Sequence, residues 1–147
     1  MRKGGHLKNL SEDFENLKLF GVDITALSLE KLDIPKLKKK VGGLTNIPYK
    51  DDFFDVVYTC EALEHAIDIE SAVKELSRVT RRGGIIIIID KYLESGNKYL
   101  IERWEQFFDE YELKNELEKY CSEVSIVHGI GHDETLRTMS AWIGRKN

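Results

Sequence analysis

The sequence predicts an α/β fold: a mostly parallel sheet with helices on both faces and a C-terminal antiparallel strand pair. Three observations carry that reading. From Asp51 to Asp90 (DDFFDVVYTCEALEHAIDIESAVKELSRVTRRGGIIIIID) an apolar strand, a polar loop, a capped amphipathic helix, a Gly-Gly stop and a second apolar strand follow one another. That succession is one strand-helix-strand unit. Within it, Ile85, Ile86, Ile87, Ile88 and Ile89 show no alternation, which marks a strand covered on both faces. Near the end, Glu123 to His128 and Ser140 to Arg145 alternate like a closing antiparallel pair.

The elements follow in order. His6 to Asn16, polar with scattered leucines, reads as a short helix, and Leu17 to Asp23 as a strand ending in an acid. Ala26 to Leu32 is a helix whose extension Pro35 limits. Lys38, Lys39 and Lys40 read as a solvated helix end; Lys40 and Val41 enter a brief strand, and Gly42-Gly43 opens a loop through Pro48. Phe54 to Cys60 is the next strand. In the helix after it, Asp68 is the N-cap and Ile69, Ala72, Val73, Leu76 and Val79 make the buried face. Glu70 and Lys74 stand four apart in the favourable order. Arg78, Arg81 and Arg82 complement the negative end of the helix dipole, and Gly83-Gly84 offers a left-handed exit. Lys91 to Lys98 is a loop, Tyr99 to Tyr111 a helix with Leu100, Trp104, Phe107 and Phe108 on one side, and Leu113 to Tyr120 a second short helix. The loop from Gly129 to Glu134 joins the last two strands.

A chain of 147 residues, 41% hydrophobic and 10% aromatic, suits a single domain over residues 1–147. A net charge of -4 implies no general affinity for nucleic acid or anionic membrane. No stretch is apolar enough to span a membrane, and the first residues lack a signal-peptide pattern. Cys60 and Cys121 have neither metal nor redox spacing, so a cytoplasmic location is expected.

Open α/β sheets bind ligands at the carboxyl ends of their strands, which selects Asp23, Gly42 to Thr45, Cys60 to His65, and Asp90-Lys91. Asp23 can accept from two ribose hydroxyls, or it can cap the following helix, with Thr25 as the competing cap. Gly42-Gly43 lets the backbone pass close to something bulky, or is a plain turn. His65 is a candidate general base, against a structural role capping a helix. His128, His132 and Asp133 lack a firm metal spacing. Trp104, Phe107 and Phe108 read first as packing, and Cys60 as a small buried residue.

These residues in this order resemble class I S-adenosylmethionine-dependent methyltransferases, over about residues 4 to 147. Gly21-Val22-Asp23-Ile24-Thr25 resembles that family's second strand with its ribose-binding acid. Gly42 to Tyr49 with Asp51 to Val57 resembles its G-D-a-x-x-L-P-f … D-x-x-F-D-x-V series, and Glu61-Ala62-Leu63-Glu64-His65 its L-E-H element. Glu75-Leu76-Ser77-Arg78-Val79 before Arg82-Gly83-Gly84 resembles E-x-x-R-V-l-k-P-G-G, with Arg82 in the proline's place, and Ala141 to Lys146 its last strand.

The resemblance implies a Rossmann-like fold and S-adenosylmethionine as cofactor. Gly4, Gly5, Asp23, Ile24, Gly43, Leu44, Cys60 and Glu61 would border the cofactor, and His65, Asp90, Lys91 and Trp104 would face a small-molecule acceptor. Two departures stand out. Gly43 replaces the acid that the family sets against adenine, and Gly4-Gly5-His6-Leu7 resembles only the tail of its glycine-rich loop. The central first strand, between the Leu17–Val22 and Phe54–Thr59 strands, is therefore expected to be missing, with self-association compensating. The leading expectation is methyl transfer to a small acceptor. The alternatives are a catalytically inactive remnant serving as a binding or scaffold domain, and, more weakly, a nicotinamide-nucleotide enzyme.

Overall fold

The architecture is built around the Asp51–Asp90 unit. In the computed structural model, which describes residues 5–66, 68–91, 109–132 and 138–147, that unit holds β3 (Phe54–Cys60), a 3-10 turn (Leu63–His65), α3 (Ile69–Val79) and β4 (Thr80–Lys91). Before it come α1 (Gly5–Asp13), β1 (Phe20–Asp23), α2 (Ala26–Glu30) and β2 (Lys38–Val41). After it come α4 (Glu110–Glu118), β5 (Cys121–His132) and β6 (Thr138–Lys146). Trp104, Phe107 and Phe108 lie outside the described residues, as does Gly4.

The strands form two sheets. One holds β3, β4, β6 and β5 in that order, with β3 parallel to β4 and β6 antiparallel to both β4 and β5. The other is the parallel pair β1 and β2, in register from Phe20↔Lys38 to Asp23↔Val41. Among the described residues the inner edges of β1 and β3 form no ladder, and their Cα atoms lie beyond 8 Å almost throughout. Paired strands lie about 4.7–4.9 Å apart, so these two are separated rather than closed up. An aromatic cluster joins them at their starts: Phe20 meets Phe54 at 5.3 Å, Phe53 at 5.5 Å and Tyr49 at 5.6 Å between centroids.

The core sits on one face of the larger sheet. Asp68 caps α3 by accepting from the Glu70 amide, as its sequence predicts. The apolar stripe Ala72, Val73, Leu76 and Val79 packs with Ile86, Ile88, Leu113, Leu117 and Trp142, all nearly inaccessible. The indole N–H of Trp142 donates to the Glu110 carbonyl at 2.8 Å, fixing α4 over the sheet. Ile85, Ile87 and Ile89 point to the opposite face and are half-buried, so the isoleucine run is fully covered on one face only among the described residues.

Four predicted boundaries are corrected. Lys38, Lys39 and Lys40 are not a helix end but the body of β2, an edge strand whose four residues are all exposed; lysines are among the side chains that keep such edges from pairing indiscriminately. Gly83-Gly84 is not the exit of α3, which stops at Val79. It interrupts β4 where the register with β3 shifts, and Gly83 takes φ +74 there. Asp109 does not continue a helix through Tyr111: with Glu112 it forms a capping box that starts α4. Gly129 to His132 continue β5 instead of forming a loop.

Candidate active site

The carboxyl ends of β1 and β2 assemble the first part of the site. Thr25, not Asp23, caps α2, accepting from the Ser28 amide. Asp23 stands two residues earlier: its Oδ1 accepts from the Thr25 amide at 2.9 Å and the Thr25 hydroxyl at 3.1 Å. Oδ2 receives no bond among the described residues, so a half-buried carboxylate at the strand tip keeps one oxygen for a hydroxyl donor. The Gly42 amide donates to the Asp23 carbonyl at 2.9 Å, drawing the two glycines to the same tip.

Those glycines have different reasons to be there. A Cβ on Gly42 would stand 2.5 Å from Pro48 Cδ, so Gly42 is required for packing of the Pro48 ring. A Cβ on Gly43 would meet only Ile24 Cγ2, at 3.6 Å, leaving open space where the sequence lacks an acid. Ile24 is 74% exposed beside it, an apolar surface at the rim. The Leu44 side chain packs against the core, so its contribution to the crevice is backbone.

The ends of β3 and β4 assemble the second part. Cys60 ends β3, with its Sγ 3.8 Å from His6 Nε2, which sets the first turn of α1 over that strand end. Burial, and then the charges of Glu61 and Asp90, push the Cys60 thiol up to about 11, so it stays protonated near neutrality. Glu61 follows with φ +49, a conformation an acidic residue seldom adopts, while its amide donates to the Ile89 carbonyl at 2.8 Å. His65, at the end of the 3-10 turn, is exposed, and Lys91 is half-buried at the end of β4.

Asp90, at the end of β4, is fully buried, and its oxygens accept from the amides of Leu63 at 3.0 Å and Lys91 at 2.8 Å, tying the 3-10 turn to that strand end. Gly5 opens α1 next to this region, while Gly4 and Trp104 fall outside the described residues. His128 pairs with Glu110 at 2.8 Å, and no metal-ligand cluster is found among the described residues.

Sequence reasoning missed two contributors. His6 reaches Cys60 across 54 positions, with only its place after a double glycine at a helix start as a signal. Arg78 was assigned to the helix dipole, yet it clamps the loop leading into β3: it donates to the carbonyls of Ile47 at 2.9 Å and Tyr49 at 2.8 Å. It also bonds Glu75, whose carboxylate accepts from the Ile47 amide at 2.9 Å. The i, i+3 spacing of Glu75 and Arg78 was the legible part of that clamp.

Comparison with known proteins shows the family and the fold. A methyltransferase-domain family profile matches residues 2–88. The chain belongs to that family. It is 43% identical over 54 residues to norajmaline N-methyltransferase of Rauvolfia serpentina, a stretch covering 37% of this chain and 18% of that protein. It is 34% identical over 71 residues to demethylmenaquinone methyltransferase of Mycobacterium marinum, covering 48% and 29% respectively. The chain thus spans under a third of the length of these relatives. A putative sarcosine dimethylglycine methyltransferase of Galdieria sulphuraria superposes with a TM-score of 0.77 at 14% identity, over 99% of this chain and 75% of that one, which establishes the shared fold. Membership of this methyltransferase family implies S-adenosylmethionine as co-substrate. Asp23 with its uncommitted oxygen, the apolar Ile24 rim and the open backbone at Gly43 fit a nucleoside.

Proposed function

We propose that this methyltransferase domain binds S-adenosylmethionine at the carboxyl ends of β1 to β4 and transfers its methyl group to a small-molecule acceptor. The observation that carries the reading is Asp23, whose backbone carbonyl accepts from the Gly42 amide and whose carboxylate accepts from Thr25 through one oxygen, the second oxygen receiving no bond among the described residues. The cofactor brings an already activated methyl, so the protein's task is positioning and exclusion of water. Asp23 holds the ribose hydroxyls. Ile24 and the backbone of Gly43 and Leu44 flank the base. Cys60, as a neutral thiol, and Glu61 border the sulfonium end. His65 and Lys91 face the acceptor, and Asp90 fixes the turn that carries His65.

The test is isothermal titration with S-adenosylhomocysteine. Saturable micromolar binding is expected, weakened about tenfold by Asp23→Asn, a change worth about 1.4 kcal/mol. No binding at millimolar ligand by a demonstrably folded chain refutes the reading, and a parallel titration with NADH excludes or admits the nicotinamide alternative.

The separation of β1 from β3 favours a second reading, a non-enzymatic scaffold domain in which self-association covers the two open edges. Light scattering across a concentration series distinguishes it. Association without cofactor binding supports the scaffold, and a monomer that binds S-adenosylhomocysteine removes it.

A further inference from the structure

The parallel register of β1 and β2 puts Phe20, Val22, Lys38 and Lys40 on one face of that small sheet, with Gly21, Lys39 and Val41 on the other. The Lys39 ammonium is used on the α2 side, donating to the Leu32 carbonyl at 2.5 Å. On the first face the sheet and the Asn46–Phe53 loop enclose an open groove of about 690 Å³. Its walls include Phe20, Tyr49, Phe53, Lys38, Lys40 and Lys50. Asp23, Gly43, Cys60 and Glu61 do not line it, so it is separate from the candidate active site.

We propose that this groove is a second ligand site, for a compact, multiply charged phosphate ligand free in solution. The first argument is charge. Four cationic side chains, those of Lys38, Lys40, Lys50 and Arg78, line the groove and no carboxylate does, among the described residues, in a chain whose net charge is -4. Arg78 is spent on Glu75, Asp51 and two carbonyls, and Lys40 gives one bond to the Pro48 carbonyl at 3.1 Å. Lys38 and Lys50 have no oxygen partner among the described residues. They rest over the rings of Phe20 at 5.4 Å and Phe53 at 5.9 Å, as Lys40 rests over Tyr49 at 4.3 Å.

The second argument is preorganisation. The rings that seat these ammoniums pack against one another, Tyr49 stacked on Phe53 at 5.2 Å and both edge-on to Phe20. Cations held by a rigid aromatic floor lose less rotational freedom on binding an anion than lysines on an open surface do.

Concavity and charge select the ligand. The volume lies within the roughly 300–1,000 Å³ typical of small-ligand sites. Lysines bind phosphate as point charges without a fixed fork, so several at once suit a polyphosphate. An extended polyanion such as a membrane or a nucleic acid would meet the acidic remainder of the chain.

The experiment is calorimetric titration of the full chain with inorganic tripolyphosphate at physiological salt. Saturable binding is expected. Lys50→Gln alone, an exposed loop substitution, should weaken it severalfold, and Lys38→Gln/Lys40→Gln/Lys50→Gln by at least about tenfold, with the near-ultraviolet circular dichroism unchanged. No saturable binding by folded wild-type protein overturns the proposal, as does binding that the single and triple variants leave intact. Vesicles of phosphatidylcholine with and without a phosphoinositide test the other source of the same chemistry. Binding to phosphoinositide vesicles without binding to tripolyphosphate overturns the assignment to a soluble ligand.

Discussion

Replacing Arg78 by alanine tests the clamp that sets the loop between β2 and β3. Its guanidinium donates to the Ile47 and Tyr49 carbonyls and to both oxygens of Glu75, at 2.6 to 2.9 Å. The Asp51 end of the network is 72% exposed and adds little. The Glu75 end is 17% exposed and the Arg78 side chain 29%, so the loss there is felt. Removing Arg78 strands a partly buried carboxylate and two carbonyls, which costs about 3 kcal/mol and lowers Tm by roughly 10 °C in a chain of this size. The cost also depends on pH in a definite direction. Arg78, and then the Ile47 amide, hold the Glu75 carboxyl below its ordinary value of 4.5. That stabilisation is present above pH 4.5 and is lost as pH falls through the lowered value. Urea unfolding of wild type and Arg78→Ala at several pH values should therefore give a difference that is full at pH 7 and shrinks in acid. A difference under about 0.5 kcal/mol at neutral pH, or one that grows in acid, refutes the clamp.

Gly42→Ala must displace the Pro48 ring, at a cost of about 1–3 kcal/mol, whereas Gly43→Ala has room; thermal unfolding of both should separate them. Asp90→Asn replaces one acceptor oxygen by an amide donor facing a backbone N–H, and should cost about 1–3 kcal/mol in denaturant unfolding. Because burial raises the Cys60 thiol to about 11, its alkylation should be slow at neutral pH and rise about tenfold per pH unit through the alkaline range. A rate that levels off below pH 9 would contradict the burial assigned to it.

The elements with a strong local pattern were legible in the sequence. α3 announced its cap, its apolar stripe and its start at Ile69, and β3 was bounded correctly because the aspartates before Phe53 and the polar loop after Cys60 frame it. β2 was misread because three consecutive lysines carry no apolar alternation. Only the register against Phe20, Gly21 and Val22 makes them a strand. The end of α3 was misplaced because a double glycine serves a helix exit and a strand bulge equally well, and the choice depends on Phe54 pairing with Thr80. In the candidate site, the Asp23 position followed from strand-then-helix order, but its free oxygen depended on Thr25 taking the cap. Asp90 was placed at the right strand end, but its burial under the Leu63 turn was not legible, since that is a tertiary fact.

The separated sheets lead to the last prediction, which concerns backbone amides. Each inner-edge residue of β1 and β3 offers N–H and C=O groups that neither the β1–β2 nor the β3–β4 ladder uses, and such groups need partners or water. The aromatic cluster at Phe20 and Phe54 shields only the starts of the two strands, while Val22 and Val56 farther along are 37% and 53% exposed. In a dilute solution of single chains, the inner-edge amides of β1 and β3 should therefore exchange with deuterium far faster than those of β4, whose strand is paired on both sides. If copies associate through these edges, the same amides slow as concentration rises and the β4 amides do not change. Inner-edge protection that equals β4 at every concentration would mean that the two edges are already satisfied within one chain, and the separation of the sheets would then have no consequence for assembly.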